Sequence, residues 1–164
     1  MIFLTVGTQF PFDRLVKTVD DLVASGVIEE EVFSQVGDDA YQPRSFKAVA
    51  SLDKKAFDEC IHKASAIISH AGMGTITMAL DTGKPLLAMP RLKRYGEVVN
   101  DHQVAIARKF EQLGHLLVAY GPEELAGKVK LLNGFKPRPR QVQPEAVARR
   151  IAEFLDGLSV GSAS

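Results

Sequence analysis

Short apolar runs alternate along this chain with longer stretches whose apolar residues recur every three or four positions. The first run, IFLTV at 2–6, is followed by FDRLVKTVDDLVASG at 12–26. There Phe12, Leu15, Val16, Val19, Leu22 and Val23 fall on one helical face and Gly26 offers a stop. EVFSQVG (31–37) and FKAVAS (46–51) read as two further strands, and DKKAFDECIHKA (53–64) as a helix capped by Ser51 or Asp53. SAIISH (65–70) predicts a fourth strand, GTITMALDTG (74–83) a short helix and PLLAMP (85–90) a fifth strand. Beyond an irregular basic loop at 91–100, the pattern predicts a helix at 101–114, a strand at 115–120 and a helix at 122–134 with proline in its first turn. Apolar strands alternating with amphipathic helices specify an α/β fold, a Rossmann-like parallel sheet of about six strands with helices on both faces.

The domain reading follows the same pattern. Residues 1–133 form the folded unit, and 134–144, rich in proline and cations, a stiff extended connector that leads away from it. Residues 145–158 form a helix with Val147, Ile151, Phe154, Leu155 and Leu158 on one stripe, and 159–164 a disordered tail. The stripe is to be covered either by the chain's own sheet or by a partner subunit.

Composition narrows the classes. A chain of 164 residues, 46% hydrophobic, can bury one ordinary core. Its 20 Lys+Arg balance its 20 Asp+Glu, so no excess field exists to collect nucleic acid or anionic lipid, and an anionic ligand must be held locally. Cys60 is the single cysteine, and no apolar run approaches the roughly 20 residues that a spanning helix needs. With no secretory leader pattern, a cytoplasmic setting is expected.

Candidate chemistry gathers where strands run into helices. In SHAGMGT (69–75), Gly72 and Gly74 would let backbone amides approach a phosphate, Thr75 adds a hydroxyl, and His70 stands at the strand tip. The alternative is a tight turn with a structural histidine. VGTQFPF places Gly7, Thr8 and Gln9 at the same sheet edge, as ligand donors or as a simple turn. Arg91, Lys93 and Arg94 suit a diphosphate or an acidic sugar, or are merely solvated. Asn100 or Asp101 caps the next helix, while Asp101 and Gln103 could hold the vicinal hydroxyls of a sugar. The Gly72-x-Gly74 pair lacks a third glycine where Thr77 stands, which disfavours a dinucleotide site. Neither an Asp-x-Asp sequence nor a zinc-type spacing of histidine and cysteine occurs, so no metal cofactor is expected.

Taken in order, VGTQFPFDRL, FSQVG, ISHAGMGTITMALDTGKPLLAMPR and GEVVNDHQ resemble the C-terminal, donor-binding half of family 28 glycosyltransferases. More closely, they resemble the small subunits of split bacterial exopolysaccharide glycosyltransferases. They are also similar to the catalytic subunit of the eukaryotic N-acetylglucosaminyltransferase that acts on dolichol diphosphate. The resemblance covers residues 1–133 and implies a single GT-B-type C-terminal half that binds a UDP-sugar. It implies that Gly7, Thr8, Gln9, His70, Gly72, Met73, Gly74, Thr75 and Arg91 face the diphosphate. Glu97, Asn100, Asp101 and Gln103 would then face the donor sugar or ribose. His70 is the catalytic candidate on this chain, with the general base on a membrane-anchored, acceptor-binding subunit and a lipid-linked saccharide as acceptor. By the same resemblance the enzyme serves exopolysaccharide synthesis, lies peripherally at the inner face of the cytoplasmic membrane, and is inactive without its partner. One departure stands out: Met78 occupies the position where many relatives carry a ribose-binding glutamate, and Glu97 is the substitute in view. Two other classes stay open, a non-catalytic nucleotide-binding module that regulates a neighbour, and another nucleotide-using Rossmann-type enzyme such as an oxidoreductase.

Overall fold

The computed structural model describes residues 1–7, 10–38 and 40–139. Strands β1 (Ile2–Thr5), β2 (Val32–Gln35), β3 (Lys47–Val49), β4 (Ala66–His70), β5 (Leu86–Met89) and β6 (Leu117–Val118) pair in parallel throughout. Their order across the sheet is β3-β2-β1-β4-β5-β6. The connecting helices are α1 (Asp13–Ala24), α2 (Lys54–Lys63), α3 (Met73–Asp81), α4 (His102–Gln112) and α5 (Pro122–Leu132).

Both faces of the sheet are covered, as its apolar central strands require. Ile2, Leu4, Ile68 and Leu87 belong to one core with Leu15, Val16 and Val19 of α1 and Leu125 and Val129 of α5. Phe3, Ile67, Leu86 and Ala88 belong to the other, with Ile61 of α2, Ile76 of α3 and Ala107 of α4. Neighbouring residues of one strand fall into opposite cores because the pleat alternates side chains. Phe3 anchors the second core by stacking on Phe33 and meeting Phe57 edge-on, with ring centroids 5.3 Å apart in the latter pair.

Several element boundaries differ from the sequence reading. Asp53 is the cap of α2, its carboxylate accepting the Ala56 N–H at 2.8 Å. The expected six-residue last strand shrinks to Leu117–Val118, and the loop 91–100 contains a 3-10 turn at Lys93–Tyr95 that Gly96 ends at φ +68°. The connector does not leave the domain at once. The Arg138 N–H donates to the Gly114 carbonyl at 2.9 Å, and Arg138 O lies 2.7 Å from His115 Nδ1, which ties this stretch to the turn after α4. The amphipathic helix expected at 145–158 and the tail at 159–164 lie outside the described residues.

One buried carboxylate organises the passage between β2 and β3. Asp20 on α1 accepts the Tyr41 hydroxyl at 2.7 Å and the backbone N–H groups of Arg44 and Ser45 at 3.0 and 2.8 Å. Burial alone raises its pKa, but the hydrogen bonds from Arg44, Tyr41 and Ser45 outweigh it and leave the pKa below the ordinary value. A depressed folded-state pKa means stabilisation that is complete above the unfolded value, about 3.9, and is lost as pH falls through the lower folded one. Asp20→Ala is therefore expected to lose about 2–3 kcal/mol in urea unfolding at pH 7. The gap to the parent should narrow below about pH 4. A gap that stays constant down to pH 2 would assign the loss to packing rather than to charge.

Candidate active site

Strand order reverses between β1 and β4, so the loops that leave these two strands diverge and open a crevice at the carboxyl edge of the sheet. At that edge β1, β2 and β4 end in polar residues. Thr5 is in register with Gln35 of β2 and with Ser69 of β4. The Thr5 hydroxyl donates to Gln35 Oε1 at 3.2 Å, and the Ser69 hydroxyl donates to the Thr5 carbonyl at 2.6 Å. All three residues are buried. This row is rigid because its hydrogen bonds are enclosed, and it sets the position of the next residue, His70.

His70 Nδ1 lies 3.2 Å from Ser69 Oγ. Because the Ser69 hydrogen is directed to the Thr5 carbonyl, Oγ can only accept from the imidazole, which places the ring proton on Nδ1 and leaves a lone pair on Nε2. The ring is held between two glycines. A Cβ on Gly7 would come to 3.0 Å from His70 Cε1, and one on Gly72 to 2.2 Å from Nε2. Gly7 also has φ +77°, a second reason for glycine there. Burial and the neighbouring Arg91 guanidinium, opposed by a hydrogen bond that the ring donates to the Thr5 backbone carbonyl, lower the His70 pKa to about 4. At neutral pH His70 is thus an uncharged acceptor, not a cation.

A cavity of about 550 Å³ opens beside the ring. Gly7, His70, Gly72, Met73, Gly74 and Thr75 line it from the β1 and β4 sides, and Arg91, Asn100 and Gln103 from the segment between β5 and α4. The first turn of α3 begins at this wall, with Gly72 at its N-cap and no side chain capping it. Its free N–H groups and the positive end of the helix dipole favour an anion. Gly74 is the informative residue of that turn, since a Cβ there would meet nothing within 4 Å. The fold itself gives no steric reason for glycine at this position.

The structure brings most of the expected residues together and reassigns several. Arg91 lines the cavity, but it is only 3% exposed and its guanidinium is committed to the chain itself. It donates to the carbonyls of Val6, Phe10 and Pro11 at 2.7, 2.6 and 2.8 Å and lies over the Phe12 ring. Lys93 and Arg94 are exposed and do not line the cavity, so the three cations do not act as one cluster. Glu97 is likewise engaged elsewhere. It makes a two-point ion pair with Arg14 at 2.8 Å and accepts the Leu92 N–H, facing away from the cavity, so it is no substitute for the glutamate replaced by Met78. Asp101 stands at the N-cap position of α4, yet its carboxylate accepts the Lys93 N–H at 2.7 Å and makes no cap bond. Asn100 accepts the His102 N–H instead.

Gln103 is buried, and its Oε1 accepts the Arg91 N–H at 3.1 Å. A backbone N–H can be met only by the amide oxygen, so the amide nitrogen is the end left for the cavity. Thr8 and Gln9 lie outside the described residues. Sequence reasoning missed Val6, Phe10, Val98, Val99 and His102, which complete the lining, and Phe10 and Val99 are exposed apolar residues there. Among the described residues no cluster of three metal-ligating side chains occurs, and no helix is long and apolar enough to cross a membrane.

Comparison with known proteins bears on the fold and on the family. The human UDP-N-acetylglucosamine transferase subunit ALG13 is 33% identical over 124 residues, covering 70% of this chain and 10% of that protein. The chain thus spans about a tenth of the length of that relative. Among solved structures, the NMR structure of ALG13 superposes with a TM-score of 0.59 at 20% identity, covering 88% of this chain and 91% of that one. Acinetobacter baumannii MurG superposes with a TM-score of 0.57 at 22% identity, covering 79% of this chain and 40% of its own. Likeness at this level of identity speaks for the fold, and the sequence itself matches the glycosyltransferase family 28 C-terminal domain over residues 1–157. The chain belongs to that family.

Proposed function

We propose that this chain is the donor-binding, catalytic subunit of a two-subunit GT-B glycosyltransferase that transfers a sugar from a UDP-sugar to a lipid-linked saccharide, in exopolysaccharide synthesis. The observation that carries the reading is the uncapped first turn of α3 opening on a 550 Å³ cavity beside His70. The α3 amides would meet the diphosphate, and Gln103, with Asn100 beside it, the transferred sugar. Charge developing on the departing UDP is met by these fixed dipoles, and no resident metal is part of the reading. The general base and the acceptor site belong to a membrane-anchored partner, which holds this chain at the inner face of the cytoplasmic membrane and without which it is inactive.

His70 gives the donor reading a specific signature. Its Nε2 lone pair repels a phosphate oxygen, and a proton taken up there turns repulsion into a charge-assisted hydrogen bond. A nearby diphosphate raises the bound-state pKa above the free value of about 4, so binding tightens as pH falls towards that range. The sugar diphosphate does not itself titrate near neutrality. Titration calorimetry of the full chain with UDP-N-acetylglucosamine at pH 6, in two buffers of different ionisation enthalpy, is expected to show saturable binding with net proton uptake. His70→Gln should bind more weakly and take up none. Binding of NADH in place of the UDP-sugar would instead favour a Rossmann-type oxidoreductase.

A further inference from the structure

Residues 90–101 join β5 to α4 as a loop that carries the 3-10 turn at Lys93–Tyr95. The loop must nevertheless place Asn100, and Gln103 just beyond it, at the cavity wall. Side chains set much of its path, since Gln103, Glu97 and Asp101 accept the backbone N–H groups of Arg91, Leu92 and Lys93. The link from this network to the core is Arg14, in the first turn of α1 beside the fully buried Leu15 and Val16. Its Nε and Nη2 donate to the two oxygens of Glu97 at 2.8 Å each, and Nη2 also donates to the Pro90 carbonyl at 3.1 Å. The guanidinium lies 4.8 Å from the centroid of the Tyr95 ring and 5.2 Å from that of Phe12. One arginine thus grips the loop at Pro90, Tyr95 and Glu97, and through Glu97 at Leu92.

The side chains of Arg14 and Glu97 are 14% and 10% exposed. A pair so enclosed adds little stability over apolar side chains of the same volume, because loss of hydration offsets most of the attraction. What a two-point contact between arginine and carboxylate does supply is direction. We propose that Arg14 and Glu97 are a positioning pair, which fixes the loop to α1, sets where Asn100 and Gln103 stand, and so governs how the sugar of the donor is held. The diphosphate, met by His70 and the α3 turn from the other side of the cavity, lies outside their reach. The proposal rests on the UDP-sugar reading and gives Glu97, which faces away from the cavity, a part in binding without contact.

The test variant is Arg14→Met combined with Glu97→Gln. It leaves no unpaired charge, and the glutamine oxygen can still accept the Leu92 N–H, so its thermal unfolding should stay close to that of the parent. Two readouts are taken on the full chain. In amide 1H–15N spectra without ligand, the backbone signals of residues 98–103 are expected to shift or broaden while those of residues 73–75 stay in place. In calorimetric titrations with UDP, UDP-glucose and UDP-N-acetylglucosamine, the tighter-binding sugar nucleotide is expected to lose about tenfold in affinity while UDP stays within about twofold. Unmoved signals at 98–103 overturn the positioning role. Equal losses for UDP and the UDP-sugar reveal a merely structural pair and overturn it too, as does no loss for either. A parent that binds none of the three ligands overturns the UDP-sugar reading instead, and the spectra then decide on the pair alone.

Discussion

Arg91→Met is expected to remove on the order of 4 kcal/mol of stability, a large share of what a domain of this size has to spare. The side chain is nearly as long and as apolar as the arginine stem, so the loss isolates the guanidinium. That group closes three carbonyls, those of Val6, Phe10 and Pro11, that no strand or helix satisfies. Each carbonyl left without a partner and away from water costs about 1–3 kcal/mol, and Phe12 also loses the cation above its ring. Lysine cannot replace the fork, since one ammonium cannot reach three acceptors with the same geometry. Arg91→Lys should therefore recover less than half of the loss. Arg94→Met, a surface change three residues on, should stay within about 0.5 kcal/mol of the parent. Urea unfolding followed by far-UV circular dichroism measures all three. An Arg91→Met chain within 1 kcal/mol of the parent would mean that the carbonyls find water, and that Arg91 is free to serve the ligand.

That expectation reverses what the sequence suggested for Arg91, and the reason is distance along the chain. Arg, Lys and Arg within four positions look like a basic patch, and only the fold shows that the first of them turns back on carbonyls 80 or more residues away. Glu97 was misread for the same reason, since its partner Arg14 lies 83 residues upstream. Ion pairs and buried forks of this kind leave no local periodicity. Asp53 and Gly26 do, because caps and stops act within a few residues, and both were legible.

The sheet was legible for a more general reason. Runs such as IFL, AII and LLAM, within β1, β4 and β5, are apolar at every position because these central strands are buried on both faces, and the helices between them carry one apolar face each. What the strands also contained, and what went unread, was their polar ends. Thr5, Gln35 and Ser69 each close an apolar run, and together they form the buried row that aims His70. A polar residue ending a buried strand at a ligand-binding edge is thus a signal in its own right. The short β6 was harder to see because six apolar or aromatic positions, His115 to Tyr120, do not say how many of them pair.

The two glycines of the α3 turn divide a structural duty from a functional one, and substituting them separately should show it. At Gly72 the backbone is extended, φ −87° and ψ 135°, which any residue adopts, so the restriction comes from the His70 ring alone. Gly72→Ala must push the imidazole off Ser69, and about 2 kcal/mol of stability and a 10- to 100-fold loss in UDP-N-acetylglucosamine affinity are expected. Removing the ring as well, in Gly72→Ala with His70→Ala, should restore most of the stability and none of the affinity, a strongly non-additive pair. Gly74→Ala should do the opposite. Its Cβ meets nothing in the protein, and alanine favours the helix over glycine by up to about 1 kcal/mol, so the chain becomes more stable. The same methyl group stands at the wall of the cavity, where a diphosphate would approach the α3 amides, so affinity falls while stability rises. If Gly74→Ala binds the UDP-sugar as well as the parent does, the diphosphate does not rest on this turn, and the free amides of α3 serve another purpose.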